Sequence, residues 1–270
     1  MNSRSLFRRG ALALVVAGCA AGASPMTSSS PAPAGSPRAE VGRAPDGESP
    51  VADALQIVVV TTPAWDSTSG TLRRYERDSP GQAWRAVGAV VPIVVGRTGL
   101  AWDESLMTSG RAGPVKREGD GRSPAGAFAL DTAFGFDIRQ IVPWVRLPYV
   151  QLRPSTECVD DSRSAHYNTI VDRSSVARVD WSSSERMREI DQYAFGVHVA
   201  YNAAPVKAGR GSCIFLHVWG GPASVTAGCT AMEEPHLREL MRWLAPERRP
   251  MIVQLPAGEL ARMRAAWSLP

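Results

Sequence analysis

The chain has 270 residues, of which 44% are hydrophobic and 21% are charged, and its formal net charge is +4. It contains no basic stripe with interleaved aromatic residues, so we do not expect nucleic acid as a partner. Without Arg4, Arg8 and Arg9 the net charge falls from +4 to +1, so the basic character lies partly in the first residues.

The first residues have the layout of an export signal. The three arginines precede a short apolar stretch, Ala11–Val16, and small residues that end at Cys19. This order predicts a lipoprotein signal peptide over residues 1–18, with Cys19 as the lipidated residue. We therefore expect an exported protein anchored to a membrane by acyl chains on the periplasmic side of the envelope. In a Gram-negative cell, Ala20 after the cysteine indicates the outer membrane. The alternative is an ordinary signal peptide cleaved a few residues later.

Residues 19–52 are rich in Ser, Pro, Ala and Gly and show no apolar periodicity. Such a segment buries too little surface to offset the entropy of ordering it, so we predict a flexible linker. Residues 53–270 then form one domain, which is long enough for a substantial core.

Short strands dominate the predicted domain, and turn residues separate most of them. The predicted strands are Leu55–Thr61, Thr71–Glu76, Trp84–Val90, Ile93–Gly96, Gly126–Asp131, Trp144–Leu152, Gly196–Tyr201, Cys213–Val218 and Met251–Leu255. The predicted helices are Glu185–Tyr193, Glu233–Trp243 and Gly258–Trp267. This pattern predicts a mainly β fold, a sandwich or barrel-like domain with a few short helices.

Three cysteines remain if Cys19 carries lipid. An exported protein with an odd number of thiols favours one disulfide and one free thiol. We prefer a Cys158–Cys213 disulfide, because it leaves Cys229 free for chemistry. The alternative is that Cys158 and Cys213 are small buried apolar residues.

The residues with the clearest chemistry are His217 and Cys229. A predicted strand delivers His217, and Gly228-Cys229 follows a loop that contains two glycines and a proline. A thiol nucleophile needs a nearby base, which His217 supplies. Gly228 permits close approach of a substrate, and the nearby backbone N–H groups are candidate donors to an oxyanion. We also expect the N-terminus of the following helix to lower the pKa of the Cys229 thiol.

Three further residues are candidates for substrate binding: His198, Trp219 and Thr226. His198 either lines the cleft or only packs in the core. A zinc site built from Cys213, His217 and Cys229 is a weaker alternative, because a tetrahedral site needs a fourth ligand and usually closer cysteine pairs. We therefore predict no metal and no cofactor.

Three segments resemble the YkuD-type L,D-transpeptidase catalytic domain family. Val95–Gly99 is similar to the strand and turn that open the family's catalytic region. Lys116–Phe128 matches its K-x-G-D-G-x-[ST]-P-x-G-x-F turn, with one extra residue before Gly119. Phe215–Cys229 matches its histidine followed by [ST]-x-G-C. Together the segments span residues 91–232.

The resemblance implies a mainly β catalytic fold, a peptidoglycan stem-peptide substrate, and neither metal nor nucleotide. Cys229 takes the nucleophile position, His217 the base position and Gly228 the position of the glycine before the nucleophile. Thr226 takes the Ser/Thr position, where it would order the loop. The chain departs from the family at Ala231, where many members carry Arg or Asn.

The implied reaction is acyl transfer through a Cys229 thioester, which yields a 3→3 crosslink or attaches a protein to the wall. If water is the acceptor, the enzyme is a carboxypeptidase or endopeptidase. Two alternatives lie outside this reaction: a non-catalytic wall-binding lipoprotein, and a cysteine peptidase that acts on proteins. The intact pair of His217 and Cys229 favours an enzyme over a binding protein.

Overall fold

The structure, a computed structural model, describes residues 49–107 and 111–270. The predicted signal peptide, Cys19 and the linker up to residue 48 lie outside the described residues. The folded part begins before the predicted boundary at residue 53, because Val51 is fully buried and its carbonyl accepts a 2.7 Å hydrogen bond from Arg77. In the part of the chain described, no helix has the length and apolar character needed to cross a bilayer.

The fold is mainly β, as the sequence predicts. Its strands are β1 Gln56–Thr62, β2 Ser69–Glu76, β3 Arg85–Val94, β4 Leu100–Trp102, β5 Ser123–Gly135, β6 Tyr149–Gln151, β7 Thr156–Val159, β8 Ile170–Asp172, β9 Ser184–Arg186, β10 Phe195–Val199, β11 Phe215–Val218, β12 Thr230–Met232 and β13 Met251–Pro256. Among the described residues, the α-helices are α1 Glu234–Trp243 and α2 Ala257–Met263. Short 3-10 helices lie at Glu104–Leu106, Arg173–Ser175, Met187–Glu189, Asp191–Ala194 and Pro246–Arg248.

Eight strands close into a barrel in the order β10-β11-β12-β3-β2-β1-β13-β5, because β5 also pairs with β10. The β-branched run in β1 is buried along nearly its whole length, and β1 lies parallel to β13. The 13-residue strand β5 makes closure possible, since its successive segments pair with β4, β13, β10 and β6. A separate three-stranded sheet, β8-β7-β9, forms beside the barrel.

Some predicted elements differ from the structure. The predicted helix Glu185–Tyr193 is wrong: Ser184–Arg186 is strand β9, and two 3-10 helices follow it. Pairing with β7 draws this segment into the small sheet, and that tertiary contact overrides its helical pattern. The predicted strand Trp144–Leu152 is reduced to Tyr149–Gln151, and the predicted terminal helix ends at Met263. Strand β12 lies between Cys229 and helix α1, where no strand was predicted.

Candidate active site

The loop between β11 and β12, residues 219–229, carries the predicted nucleophile and is called the nucleophile loop below. It ends at Cys229, directly before β12, and two hydroxyl groups hold it there. The Cys229 carbonyl accepts hydrogen bonds from Ser123 Oγ at 2.8 Å and from Thr226 Oγ1 at 2.6 Å. Ser123 also accepts a 2.9 Å hydrogen bond from the Gly96 N–H. Residues from all three sequence motifs therefore meet at the backbone of the nucleophile.

The glycine-rich turn is built around Asp120. Its carboxylate accepts hydrogen bonds from Lys116 Nζ at 2.7 Å, Arg117 N at 2.8 Å and Arg122 N at 2.9 Å. Gly121 has a φ of 69°, a conformation that favours glycine. These contacts support a structural role for the turn, which positions Ser123 behind the nucleophile.

The Cys229 thiol is buried, and its residue is 5% exposed. The Phe215 N–H donates to Sγ at 3.3 Å, and the S–H group donates to the Cys213 carbonyl at 3.4 Å. Burial raises the pKa of this thiol, and the nearby Glu185 carboxyl raises it further. The expectation that a helix N-terminus lowers this pKa is wrong, because α1 begins only at Glu234, after β12.

His217 lines the same cleft as the nucleophile. It pairs with Ala231 across β11 and β12, and paired residues point to the same face. Cys229 directly precedes β12 and lines the same cleft as His217 and Ala231. His217 Nδ1 lies 2.7 Å from the Val218 carbonyl, so Nδ1 carries the proton and Nε2 is the acceptor. Burial lowers the pKa of His217 to about 4, so the ring is neutral near pH 7.

A cleft of about 230 Å³ opens over this face. It is lined by Glu185, Ile190, Gln192, Tyr193, His217, Trp219, Gly220, Ser224, Val225, Thr226, Ala227, Cys229 and Ala231. Trp219 and Thr226 therefore lie beside the nucleophile, in positions where they can contact a substrate. Ala231 also reaches the cleft, and none of the described lining residues is Lys or Arg.

Glu185 and Tyr193 are site residues that the sequence analysis missed. The Tyr193 hydroxyl donates to Glu185 Oε2 at 2.7 Å, and the Tyr193 ring packs edge-on against His217 at 5.2 Å between centroids. The Tyr193 side chain also lies in the same buried cluster as Cys229. Nothing in the local sequence marked them, because a segment rich in Ser, Glu and Arg is typical of a solvated surface.

Two predicted site residues have other roles in the structure. His198 is absent from the cleft lining, and its Nδ1 lies 2.8 Å from Asp131 Oδ1. The Gly228 N–H donates to Thr226 Oγ1 at 3.2 Å, so it is turned into the loop rather than toward an oxyanion. A Cβ at Gly228 would lie 3.1 Å from the Arg122 carbonyl, so the glycine permits close packing of the nucleophile loop against the glycine-rich turn.

The structure joins Cys158 and Cys213 in a disulfide and leaves Cys229 free. A disulfide sulfur is not a thiolate ligand, so Cys213 is unavailable to the alternative zinc site. Within residues 49–107 and 111–270, no group of three or more His, Cys, Asp or Glu residues is arranged to hold a metal ion. The disulfide instead lies in the same buried cluster as Phe215 and Cys229.

Comparison with known proteins agrees with this geometry. The family model for the L,D-transpeptidase catalytic domain, YkuD, matches residues 65–253, which include the nucleophile loop, the glycine-rich turn and most of the barrel. No curated protein and no solved structure matches the chain significantly. The chain belongs to the YkuD family of L,D-transpeptidase catalytic domains.

Proposed function

We propose that the protein is an L,D-transpeptidase that acts on peptidoglycan stem peptides through a thioester on Cys229. The main support is that His217 and Cys229 line one cleft, where the Val218 carbonyl accepts the Nδ1 hydrogen bond and leaves Nε2 to act as the base. Membership of the family supports the substrate class.

In the first step, Sγ of Cys229 attacks the carbonyl carbon of the third stem residue. His217 Nε2 takes the thiol proton and returns it to the nitrogen of the leaving D-Ala as the C–N bond breaks. The raised pKa of the thiol and the lowered pKa of His217 mean that the resting pair is neutral. Proton transfer then accompanies attack, and the Phe215 N–H at 3.3 Å stabilises the developing negative charge on Sγ.

In the second step, an amine from another stem attacks the thioester carbonyl and displaces Sγ, which forms the new amide crosslink. Water in place of the amine would release a free tripeptide, the carboxypeptidase alternative. Trp219 and Thr226, which line the cleft, are proposed to contact the peptide.

We propose further that the protein is exported and anchored by lipid on Cys19, on the periplasmic side of the envelope. The arginine-rich start, the apolar stretch and the small residues before Cys19 support this location. Metabolic labelling with a radioactive fatty acid tests it: label should enter the wild-type chain and be absent from Cys19→Ser. Equal labelling of both chains would contradict the anchor.

The activity is tested by mass spectrometry of reaction products. The full chain, purified in detergent, is incubated with disaccharide-tetrapeptides beside its Cys229→Ala variant. We expect dimers that have lost one D-Ala, formed by the wild type alone. Tripeptides without dimers would indicate the hydrolase, and unchanged substrate in both samples would contradict the proposed function.

A further inference from the structure

The cleft also contains a carboxylic acid, Glu185, which has no role in the chemistry proposed above. Glu185 lines the same cleft as His217 and Cys229, and the residue is partly exposed. No described residue that lines this cleft is a Lys or Arg, and His217 is neutral near pH 7. An ionised Glu185 is therefore the only charged group among the described residues that line the cleft, and it favours a ligand that carries positive charge.

Tyr193 lies beside Glu185 in the cleft that holds the nucleophile. Its hydroxyl donates to Glu185 Oε2 at 2.7 Å, and the Tyr193 side chain lies in the same buried cluster as Cys229. The carboxyl, the tyrosine and the thiol therefore line one cleft. A group bound by Glu185 would arrive next to the thioester carbonyl, where the second substrate must react.

On these grounds, and resting on the proposed function, we propose that Glu185 is the acceptor-site residue, which binds the ammonium group of the attacking stem and removes its proton. The acceptor amine of a diamino acid is protonated at neutral pH, because the pKa of such an amine is about 10. It cannot attack a carbonyl until it loses a proton. A carboxylate in the cleft binds the ammonium by charge and hydrogen bonding, and it also receives that proton.

In this step the acceptor nitrogen loses two protons and forms a bond to the thioester carbonyl carbon. The ammonium gives one proton to the Glu185 carboxylate, and the free amine nitrogen forms a bond to the thioester carbonyl carbon. The C–S bond then breaks, and a second nitrogen proton passes through His217 Nε2 to Cys229 Sγ. The products are an amide, a restored thiol and a protonated Glu185, which returns its proton to solvent before the next turnover.

The electrostatic setting of Glu185 suits this role. Burial raises its pKa to about 7, the hydrogen bond from Tyr193 opposes the shift, and Asp160 and Glu118 reinforce it. A proton acceptor works best when its pKa lies near the working pH.

The test separates the two steps of the reaction. The full chain and its Glu185→Gln variant are incubated with disaccharide-tetrapeptides that carry a diamino acid at the third position. Released D-Ala reports thioester formation, and the ratio of dimers to free tripeptides reports the choice between amine and water. We expect Glu185→Gln to lower this ratio about 10- to 100-fold and to change D-Ala release less than about 3-fold.

Two variants serve as controls. Glu189→Gln removes an exposed carboxyl outside the cleft and should leave the ratio unchanged. Glu185→Asp keeps the charge and should restore part of the ratio. A measurement on the wild type alone is independent of any folding defect: its dimer fraction should rise with pH through about 7.

The remaining outcomes contradict either the inference about Glu185 or the proposed function. An unchanged ratio in Glu185→Gln overturns the inference and leaves the proposed function intact. An equal loss of D-Ala release and dimers also overturns it, because Glu185 would then act on the thiol or on the donor peptide. If the wild type releases no D-Ala, the proposed function fails, and the inference fails with it.

Discussion

Ser123 donates a hydrogen bond from its buried hydroxyl to the carbonyl of Cys229 at 2.8 Å, although 106 residues separate the two in the chain. The same oxygen accepts a hydrogen bond from the Gly96 N–H, so Ser123 links the segment between β3 and β4, the glycine-rich turn and the nucleophile loop. This position of the turn is Ser or Thr in the family, and in this chain the reason is physical. The small hydroxyl of Ser123 accepts a hydrogen bond from the Gly96 N–H and donates one to the Cys229 carbonyl.

The first prediction concerns this link. Ser123→Ala should lower the free energy of unfolding by about 1–3 kcal/mol, because the buried Gly96 N–H loses its acceptor. D-Ala release should also fall, since one of the two hydroxyls that hold the Cys229 carbonyl is lost. Urea unfolding and product analysis measure both effects. Ser175→Ala, at an exposed position, is the control, and equal stability of the two variants would refute the argument.

The second prediction concerns the base. His217→Gln should lower the rate of D-Ala release about 100- to 10,000-fold, because no group then takes the thiol proton. The fold should persist, as shown by an unchanged circular dichroism spectrum. His236→Gln, which changes a partly exposed histidine on α1, should retain full activity. Comparable loss in both variants would argue against a specific role for His217.

The third prediction concerns pH. The raised pKa of Cys229 means that alkylation of its thiol by iodoacetamide in the free protein should still be rising above pH 8. His217, whose pKa is lowered to about 4, should remain neutral and able to act as the base down to about pH 5. Mass spectrometry of the alkylated protein measures the first effect. A reaction rate that is already constant between pH 5 and 8 would indicate a resting thiolate and contradict the neutral pair.

The fourth prediction concerns stability and Glu185. Its pKa is raised to about 7 in the folded protein, so the folded state binds more protons than the unfolded state between about pH 4.5 and 7. Ionisation of Glu185 therefore lowers the free energy of unfolding as pH rises through this window. Glu185→Gln should be more stable than the wild type at pH 8 by about 1–3 kcal/mol, and the difference should shrink toward pH 5. A constant difference across this range would contradict the shift.

The fifth prediction concerns the disulfide. It closes a loop of 55 residues, so replacing Cys158 and Cys213 together by Ser should lower the free energy of unfolding by about 2–4 kcal/mol. Activity should fall as well, because the disulfide positions the Cys213 carbonyl, which accepts a 3.4 Å hydrogen bond from the Cys229 thiol. Chemical unfolding and D-Ala release measure the two effects. Full activity in a folded variant would show that the nucleophile is positioned without the disulfide.

Some elements are marked by patterns among neighbouring residues, and these elements are predictable from the sequence alone. The β-branched run of β1, the amphipathic helix α1, the glycine-rich turn and the pair of His217 and Cys229 could all be predicted. In each case neighbouring residues carry the pattern or the motif. The mainly β class and the family followed from these, and the family match over residues 65–253 confirms both.

The residues that surround the nucleophile, and the hydrogen bonds made by Cys229 and His217, depend on the tertiary structure. Glu185 and Tyr193 enter the cleft because β9 pairs with β7, a contact that overrides the helical pattern of that segment. His198 on β10 contacts Asp131 on β5 and is not among the residues that line the cleft, because β10 pairs with β5. The pKa values of His217 and Cys229 depend on burial, which arises when distant strands close the barrel. These properties come from contacts between residues far apart in the chain, and no local pattern encodes them.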